Sequence, residues 1–392
     1  MTPILTQTGA LFLDAYRDLN AKKMFWIVLV ISCLVVASFA VVGINARGFT
    51  ILWFEIQSVF NTGVIPKPTF YKIMFSTLGV GWWLNWFAII LALVSTAGIM
   101  PDFIAGGAVD LYLSKPISRL RLFLTKYLTG LLFVTLQVAL FTTACFFLIG
   151  ARAGSWDLRV FLAVPVVALV FSYLFCVCTL IGLLTRSTVA ALLLTILFWL
   201  MIFGVHSSES LLLMSKTAGR IETQAYENQF SYLDKEEAMY KERIAQADPK
   251  AQAQLDATRK RRRELEDKKK ASDPTRRNIA TAHRALYAVK TILPKTAETS
   301  ALLARWLNVA ETAADEEKLD ERDRRRAARN GANGWFSGFR DRTEVRMDDS
   351  EVIRESEDII NARPVSWVMG TSIAFEAVIL ALSAWIFCRR DY

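Results

Sequence analysis

Val160–Val205 reads VFLAVPVVALVFSYLFCVCTLIGLLTRSTVAALLLTILFWLMIFGV, and Arg186 is the only formally charged residue in it. A helix needs about 20 apolar residues to cross a hydrocarbon core of about 30 Å. The stretch is therefore two spans, Val160–Leu184 and Val189–Val205, joined by the polar turn Thr185-Arg186-Ser187. Four further blocks meet the same criterion: roughly Met24–Ile44, Phe75–Met100, Leu122–Ile149 and Val365–Phe387. The first is too long, with flanks too apolar, for a cleaved signal peptide, so it counts as a span. The predicted fold class is all-α: a polytopic membrane protein with six transmembrane helices and a large helical insertion between the fifth and sixth.

Composition agrees with this division. The chain has 392 residues, is 53% hydrophobic and carries a net charge of +9, with a mean hydropathy of +0.32. Its apolar residues come in long blocks, and most of its charges fall between His206 and Arg363. This predicts three regions: 1–205, an interfacial helix and five spans; 206–363, the insertion; and 364–392, the sixth span and tail. Cys33, Cys145, Cys176, Cys178 and Cys388 all lie in or beside apolar blocks without metal-ligand or disulfide spacing, and read as small buried hydrophobes. With His206 and His283 the only histidines, a zinc or haem site has little to be built from, and no metal is expected.

Lys and Arg in the short loops set the orientation. Arg17, Lys22 and Lys23 precede the first span, and Lys115, Arg119, Arg121 and Lys126 follow the second. Arg186 lies between the fourth and fifth, and Arg389-Arg390 follow the sixth. Six spans put all of these on one face, the cytoplasmic one, with both termini inside and the insertion outside. Phe12, Ala15, Tyr16 and Leu19 share one helical face opposite Asp14, Arg17 and Asp18, which predicts a helix in the membrane interface before the first span.

The segment Pro101–Leu128, PDFIAGGAVDLYLSKPISRLRLFLTKYL, lies on the cytoplasmic side. Val109, Leu111 and Leu113 form a short amphipathic run, Pro116 stops the helix, and Ser118 can cap the next. This predicts a short helix across the face, continuous with a span, that a partner could grip. The order of residues resembles the permease subunits of type-2 ATP-binding-cassette exporters, whose pattern is roughly G-T-L-(D/E)-x-L-L-S-x-P-(I/V)-S-R followed by G-K-Y. Gly107, Asp110, Leu111, Leu113, Ser114, Pro116, Ile117, Ser118, Arg119, Lys126 and Tyr127 match it. Ala108-Val109 stand for the usual Thr-Leu, and Thr125 for Gly. The ending WIFCRRDY is similar to that family's aromatic-apolar span with a basic tail.

The resemblance implies a subunit of an ATP-driven exporter in the plasma membrane, a bacterial inner membrane, working as a homodimer or as a heterodimer with a related permease. It implies that 101–119 is a coupling loop docking a separate ATPase through Asp102, Gly106, Gly107, Asp110, Leu111, Leu113, Ser114, Lys115, Pro116, Ser118 and Arg119. No G-x-x-x-x-G-K-[ST] loop occurs in the chain, so ATP and Mg are expected in that partner and no cofactor in this chain. Neither a G-x-S-x-G elbow nor an H-E-x-x-H motif is present, and the chain is not expected to be an enzyme.

Within the spans, Glu376 is the one deep carboxylate, and ionisable groups there are costly and functional by default. Ser372, Glu376 and Ser383 share a helical face that either lines a substrate path or dimer seam, or forms a structural hydrogen-bonding cluster. Asn85, between Trp82, Trp83 and Trp86, is a weaker candidate, because tryptophans near span ends commonly anchor the interface. In the insertion, Asp248-Pro249 and Asp273-Pro274 read as two helix starts. Ile279, Ala282, Leu286, Val289 and Leu293 read as a core-facing stripe. The basic run Arg259–Arg263 and Lys268–Lys270 is balanced by neighbouring acids and reads as a solvated helix, with no nucleic-acid partner. Leu302, Leu303 and Leu307 lie in a segment too short to cross, suited to an interfacial or re-entrant helix. Expected partners are the ATPase, a second permease and membrane lipids. The alternative function is a non-transporting membrane scaffold or mechanotransmitter working through the insertion.

Overall fold

The computed structural model describes residues 23–51, 54–57, 66–105, 118–246, 248–307 and 349–389. The segment before Lys23 expected to form the interfacial helix lies outside them. The chain divides into two compact units. The first combines Met1–Ile202, Ile292–Leu319 and Val365–Tyr392, and the second combines Phe203–Thr291 and Asp320–Pro364.

Five helices are long and apolar enough to cross a membrane: Lys67–Ile104, Arg119–Ala153, Leu158–Thr185, Thr188–Ala245 and Val365–Arg389. The first predicted span is shorter than expected. Helix α1 (Lys23–Val41) has its apolar run at Phe25–Val41, and the backbone then turns to strand. Strands β1 (Val42–Asn45), β2 (Gly48–Ile51) and β3 (Phe54–Gln57) make an antiparallel meander, with Asn45 opposite Gly48 and Ile51 opposite Phe54. β-Branched Val41, Val42 and Ile44 favour strand over helix. Gly43 admits the close approach of β2, since a Cβ there would lie 2.7 Å from Thr50 Oγ1. The all-helical expectation thus holds for the spans and gives way to a small sheet after the first.

The 67–104 stretch comprises α2 (Lys67–Met74), a wider π-helical segment (Phe75–Ala88), α3 (Ile89–Thr96) and α4 (Ile99–Ala105). Next come α5 (Arg119–Ala153), a 3-10 turn (Leu158–Leu162), α6 (Ala163–Thr185) and α7 (Thr188–Ala245). Ser118 caps α5 as expected, its Oγ accepting from the Arg121 N–H at 3.4 Å. Gly154 ends α5 at φ 68°, its N–H bonding Gly150 O, the left-handed termination that glycine permits. Arg186 ends α6 at φ 51°, a cost for a non-glycine residue.

The first unit packs α5 and α6 at its centre, with α1, the π-helical segment, α4 and the last helix around them. Gly130 lets α5 and α6 close up, because a Cβ there would meet the buried Phe175 ring at 2.6 Å. Residues 296–307 form a helix whose Leu303 and Leu307 enter this same core. It begins on the final helix, where the Lys295 N–H bonds Ser372 Oγ at 3.0 Å.

Two sets of contacts gather opposite helix ends. At one, Lys72 on α2 meets Asp157 after α5 at 3.0 Å, Tyr71 OH bonds Val42 O at 3.1 Å, and Arg152 reaches Ala40 O. Burial would raise the Asp157 carboxyl, but the Arg159 N–H and Lys72 hold it below its ordinary value. A depressed carboxyl contributes stability above the unfolded pKa of about 4 and loses it as pH falls through the folded value. Asp157→Asn is therefore expected to melt below the parent protein at neutral pH. Melting curves taken to progressively lower pH below about 4 should draw the two together.

The second unit contains an antiparallel hairpin. The outer part of α7 runs to Ala245 and α8 (Ala251–Ile292) returns. Asp248 makes the turn, Oδ1 accepting from the Lys250 N–H at 3.0 Å and its carbonyl from the Ala251 N–H at 3.2 Å. Along the hairpin Asp234 pairs with Arg262 (2.5 Å), Glu227 with Lys269 (3.6 Å) and Glu222 with Arg276 (3.2 Å). Tyr226, Phe230, Leu233 and Leu265 supply the apolar contact. Helix α9 (Asp349–Asn361) joins the base, where Glu355 pairs with Arg220.

The expected helix start at Asp273-Pro274 does not occur, and α8 runs through Pro274. Proline there removes one backbone donor, while Arg276 two residues on is anchored to Glu222, to Thr223 Oγ1 (2.6 Å) and to Ser272 Oγ (2.6 Å). These ties offset the interior proline, which costs up to about 3 kcal/mol. Pro274→Ala is expected to stabilise the hairpin by about 1–3 kcal/mol, read as slower amide exchange around Lys270. No change in exchange would contradict this.

The expected core stripe is also displaced. Ala282 and Val289 are exposed, and α8 instead turns His283 and Lys290 inward. The reason is the buried carboxylate of Glu209, described below.

Candidate functional site

Helix α10 (Val365–Arg389) carries Glu376 half-buried against α5 and α6. Tyr127 of α5 donates its hydroxyl to Glu376 Oε1 at 2.9 Å, and Ser172 of α6 donates to Oε2 at 2.9 Å. Tyr127 is held by stacking on Phe175, with ring centroids 5.1 Å apart. Ser172 Oγ also reaches Leu169 O at 2.8 Å. Both donors are neutral hydroxyls, and among the described residues no Lys or Arg pairs with Glu376. One carboxylate thus ties three helices, and moving α10 away from α5 and α6 breaks both bonds together.

The companions of Glu376 sit differently from one another. Ser372 is fully buried, returning a bond to Val368 O at 2.8 Å and receiving the Lys295 N–H. Beside it, Lys295 Nζ bonds Thr371 Oγ1 at 2.5 Å and lies 4.3 Å from the Trp367 ring centroid. Ser383 is buried and bonds Ile379 O at 2.8 Å. The shared face is thus directed into protein at all three positions. Asn85 makes no hydrogen bond to this cluster among the described residues. It is buried in the π-helical segment and its Oδ1 accepts none. Its tryptophan neighbours lie near the middle of the 67–104 helical stretch, away from the span ends expected for interface anchors. Trp86 packs on Trp199, with centroids 4.9 Å apart.

At the other set of helix ends, the two arms of the expected coupling loop meet the rest of the first unit. Asp102 on α4 accepts from Thr188 Oγ1 at 3.1 Å, at the start of α7. Pro101 lies against Gly182, whose added Cβ would come within 3.1 Å of it. Arg119 at the start of α5 reaches Cys388 O at 3.4 Å, near the end of α10. Phe103 stacks on Phe387 at 6.4 Å and lies under Lys126 at 5.3 Å, while Phe123 meets Phe387 at 5.8 Å. Five helix ends, with the basic Arg119 and Lys126, are thereby collected on one side. Gly106, Gly107, Asp110, Leu111, Leu113, Ser114, Lys115 and Pro116 lie outside the described residues.

The second unit holds a charged centre that sequence reasoning missed. Glu209 has a fully buried side chain, with Lys290 4% and Arg363 8% exposed. Oε2 accepts from Lys290 Nζ at 2.6 Å, and Oε1 accepts from Arg363 Nη2 at 2.6 Å, with His283 Nε2 at 3.2 Å. Burial, and then Lys216, push His283 below its ordinary pKa against the pull of Glu209. The signal was available. Glu209 is a lone acid between the fifth apolar block and Leu211-Leu212-Leu213, and Lys290 interrupts an equally apolar run at Val289 and Ile292. Among the described residues no group of three or more His, Cys, Asp and Glu could hold a metal ion.

No family model, no curated protein and no solved structure matches the chain.

Proposed function

We propose that this chain is the membrane-spanning permease subunit of a type-2 ATP-binding-cassette exporter. In this reading it has six crossings, both termini are cytoplasmic, and it lies in the plasma membrane, a bacterial inner membrane. ATP and Mg belong to a separate ATPase subunit, and two permease chains, alike or related, surround the path.

The observation that supports this best is the convergence on the arms of the 101–119 loop. Asp102 is tied to the start of α7 and Arg119 to the end of α10, so a push on the loop reaches four helices directly. The same side collects Lys126, Arg186 and Arg389, the excess expected of cytoplasmic ends. Glu376 supports a second element of the mechanism, a latch among α5, α6 and α10 released when those helices separate.

The unbroken 58 residues of α7 favour one rival, a mechanical transmitter with no cargo, in which the insertion is the working part. Reconstitution with the ATPase separates the two. An exporter has ATP turnover stimulated by one cargo and vesicle accumulation of it, whereas a transmitter has ATP turnover unaffected by any cargo and sensitive to removal of the hairpin.

A further inference from the structure

Glu376 is a single carboxylate set among oxygen atoms. Tyr127 OH lies 2.9 Å from Oε1, and Ser172 Oγ lies 2.9 Å from Oε2. Each hydroxyl also reaches a backbone carbonyl of α6. Tyr127 OH is 3.3 Å from Ser172 O, and Ser172 Oγ is 2.8 Å from Leu169 O. A hydroxyl has one proton to give and two lone pairs to accept with, so each of the two has a choice of acceptors. With both protons directed at Glu376, neutral donors satisfy the carboxylate. With both turned onto the α6 carbonyls, the hydroxyl oxygens and the carboxylate present lone pairs to one another. That second arrangement is the one a positive ion would stabilise. The titratable groups facing Glu376 are Tyr127 from α5 and Tyr173 and Cys176 from α6, none of which can become a cation. Lys295 lies about one turn away along α10, with Nζ on Thr371 Oγ1. A carboxylate held in a span without a basic partner is costly, and an ion at this point would offset the cost.

We propose that one sodium ion binds here, held by the Glu376 carboxylate and the hydroxyl oxygens of Tyr127 and Ser172, whose protons turn onto Ser172 O and Leu169 O. Hard cations take oxygen ligands, and every polar partner of Glu376 is an oxygen. One carboxylate balances a monovalent ion and would leave a divalent one with excess charge inside the span. The short contacts between these oxygens suit sodium better than the larger potassium. A proton would use one carboxylate oxygen and turn one hydroxyl, whereas an ion draws on both oxygens and both hydroxyls, as the matched 2.9 Å contacts provide. Bound sodium gathers α5, α6 and α10 onto one centre and strengthens their packing. The site rests on the latch reading of Glu376 and needs neither an ATPase nor a cargo, so losing it would leave the exporter assignment standing.

The test is thermal unfolding of the full chain in phosphatidylcholine nanodiscs, with choline chloride exchanged for sodium chloride at fixed pH and ionic strength. The expected result is a saturable rise in melting temperature with sodium, and a need for about tenfold more potassium to reach the same rise. Ser172→Ala should raise the half-saturating sodium concentration about tenfold, and Glu376→Gln should abolish the response. If Glu376→Gln does not fold, infrared difference spectra of the parent protein and Ser172→Ala replace it. Sodium should shift one carboxylate band in the parent, and the shift should need more sodium in Ser172→Ala. Equal melting in sodium and choline, a sodium response unchanged in both variants, or a response to pH alone would overturn the proposal. A melting temperature lowered by Glu376→Gln, with the parent protein indifferent to sodium, would keep the latch and remove the ion.

Discussion

Glu209→Leu is expected to destabilise the second unit by about 3–5 kcal/mol, the cost of removing one partner from a buried ion-pair cluster. The substitution removes the carboxylate that Lys290 and Arg363 share, together with the Glu209 contact of His283. Glu209→Gln keeps one acceptor and should cost less. Neutralising a cation as well, in Glu209→Leu with Lys290→Met, should restore part of the loss, and the cycle isolates the coupling from simple damage. Amide exchange and limited proteolysis at α8 read the effect in that unit, with the first unit as internal reference. Equal protection in the parent protein and Glu209→Leu would contradict it. Acid should act in the same direction. A histidine whose folded pKa is lowered favours folding above the unfolded value of about 6.5 and opposes it below, so protection at α8 should decline as pH drops from about 6.5.

On the exporter reading, Glu376→Gln is expected to lower cargo export by about tenfold, a change of roughly 1.4 kcal/mol in barrier height, with membrane insertion intact. The amide preserves shape but replaces one acceptor oxygen by a donor, so it cannot receive both the Tyr127 and Ser172 hydroxyls as the carboxylate does. One of the two ties from α10 is lost, and the equilibrium between packed and separated helices moves. Tyr127→Phe removes one tie from the other side and should give a similar but smaller defect. Unchanged export by Glu376→Gln would reduce the cluster to ordinary packing.

The membrane body was legible because burial in lipid imposes a requirement on length and polarity that few sequences meet by accident. Val160–Val205 separates into α6 and α7 at the turn its Thr185-Arg186-Ser187 announces. The first block was less legible. Its hydropathy continues to Ile44, and only the β-branched residues around Gly43 distinguish a strand from one more helical turn. Hydrophobic periodicity misassigned the inner face of α8 because the strongest buried contacts there are charged. A carboxylate shared by Lys290, Arg363 and His283 orients the helix more strongly than Val289 does, and its partners are far apart in sequence. Pro274 misled for a related reason, since the side-chain ties around Arg276 that carry the helix past it come from α7 as well as α8. For the intramembrane site, Glu376 and its helical face could be read locally, while Tyr127 and Ser172, from two other helices, could not.

The most direct measurement on the central claim is purification of the chain from its native membranes, followed by assay for a bound nucleotide-binding subunit and its ATP hydrolysis. The exporter account expects a stoichiometric ATPase whose association is lost when Leu111 and Leu113 in the coupling loop are replaced by aspartate, while the chain itself remains in the membrane. Purification without any ATPase, or an ATPase retained with unchanged turnover after those replacements, would contradict it.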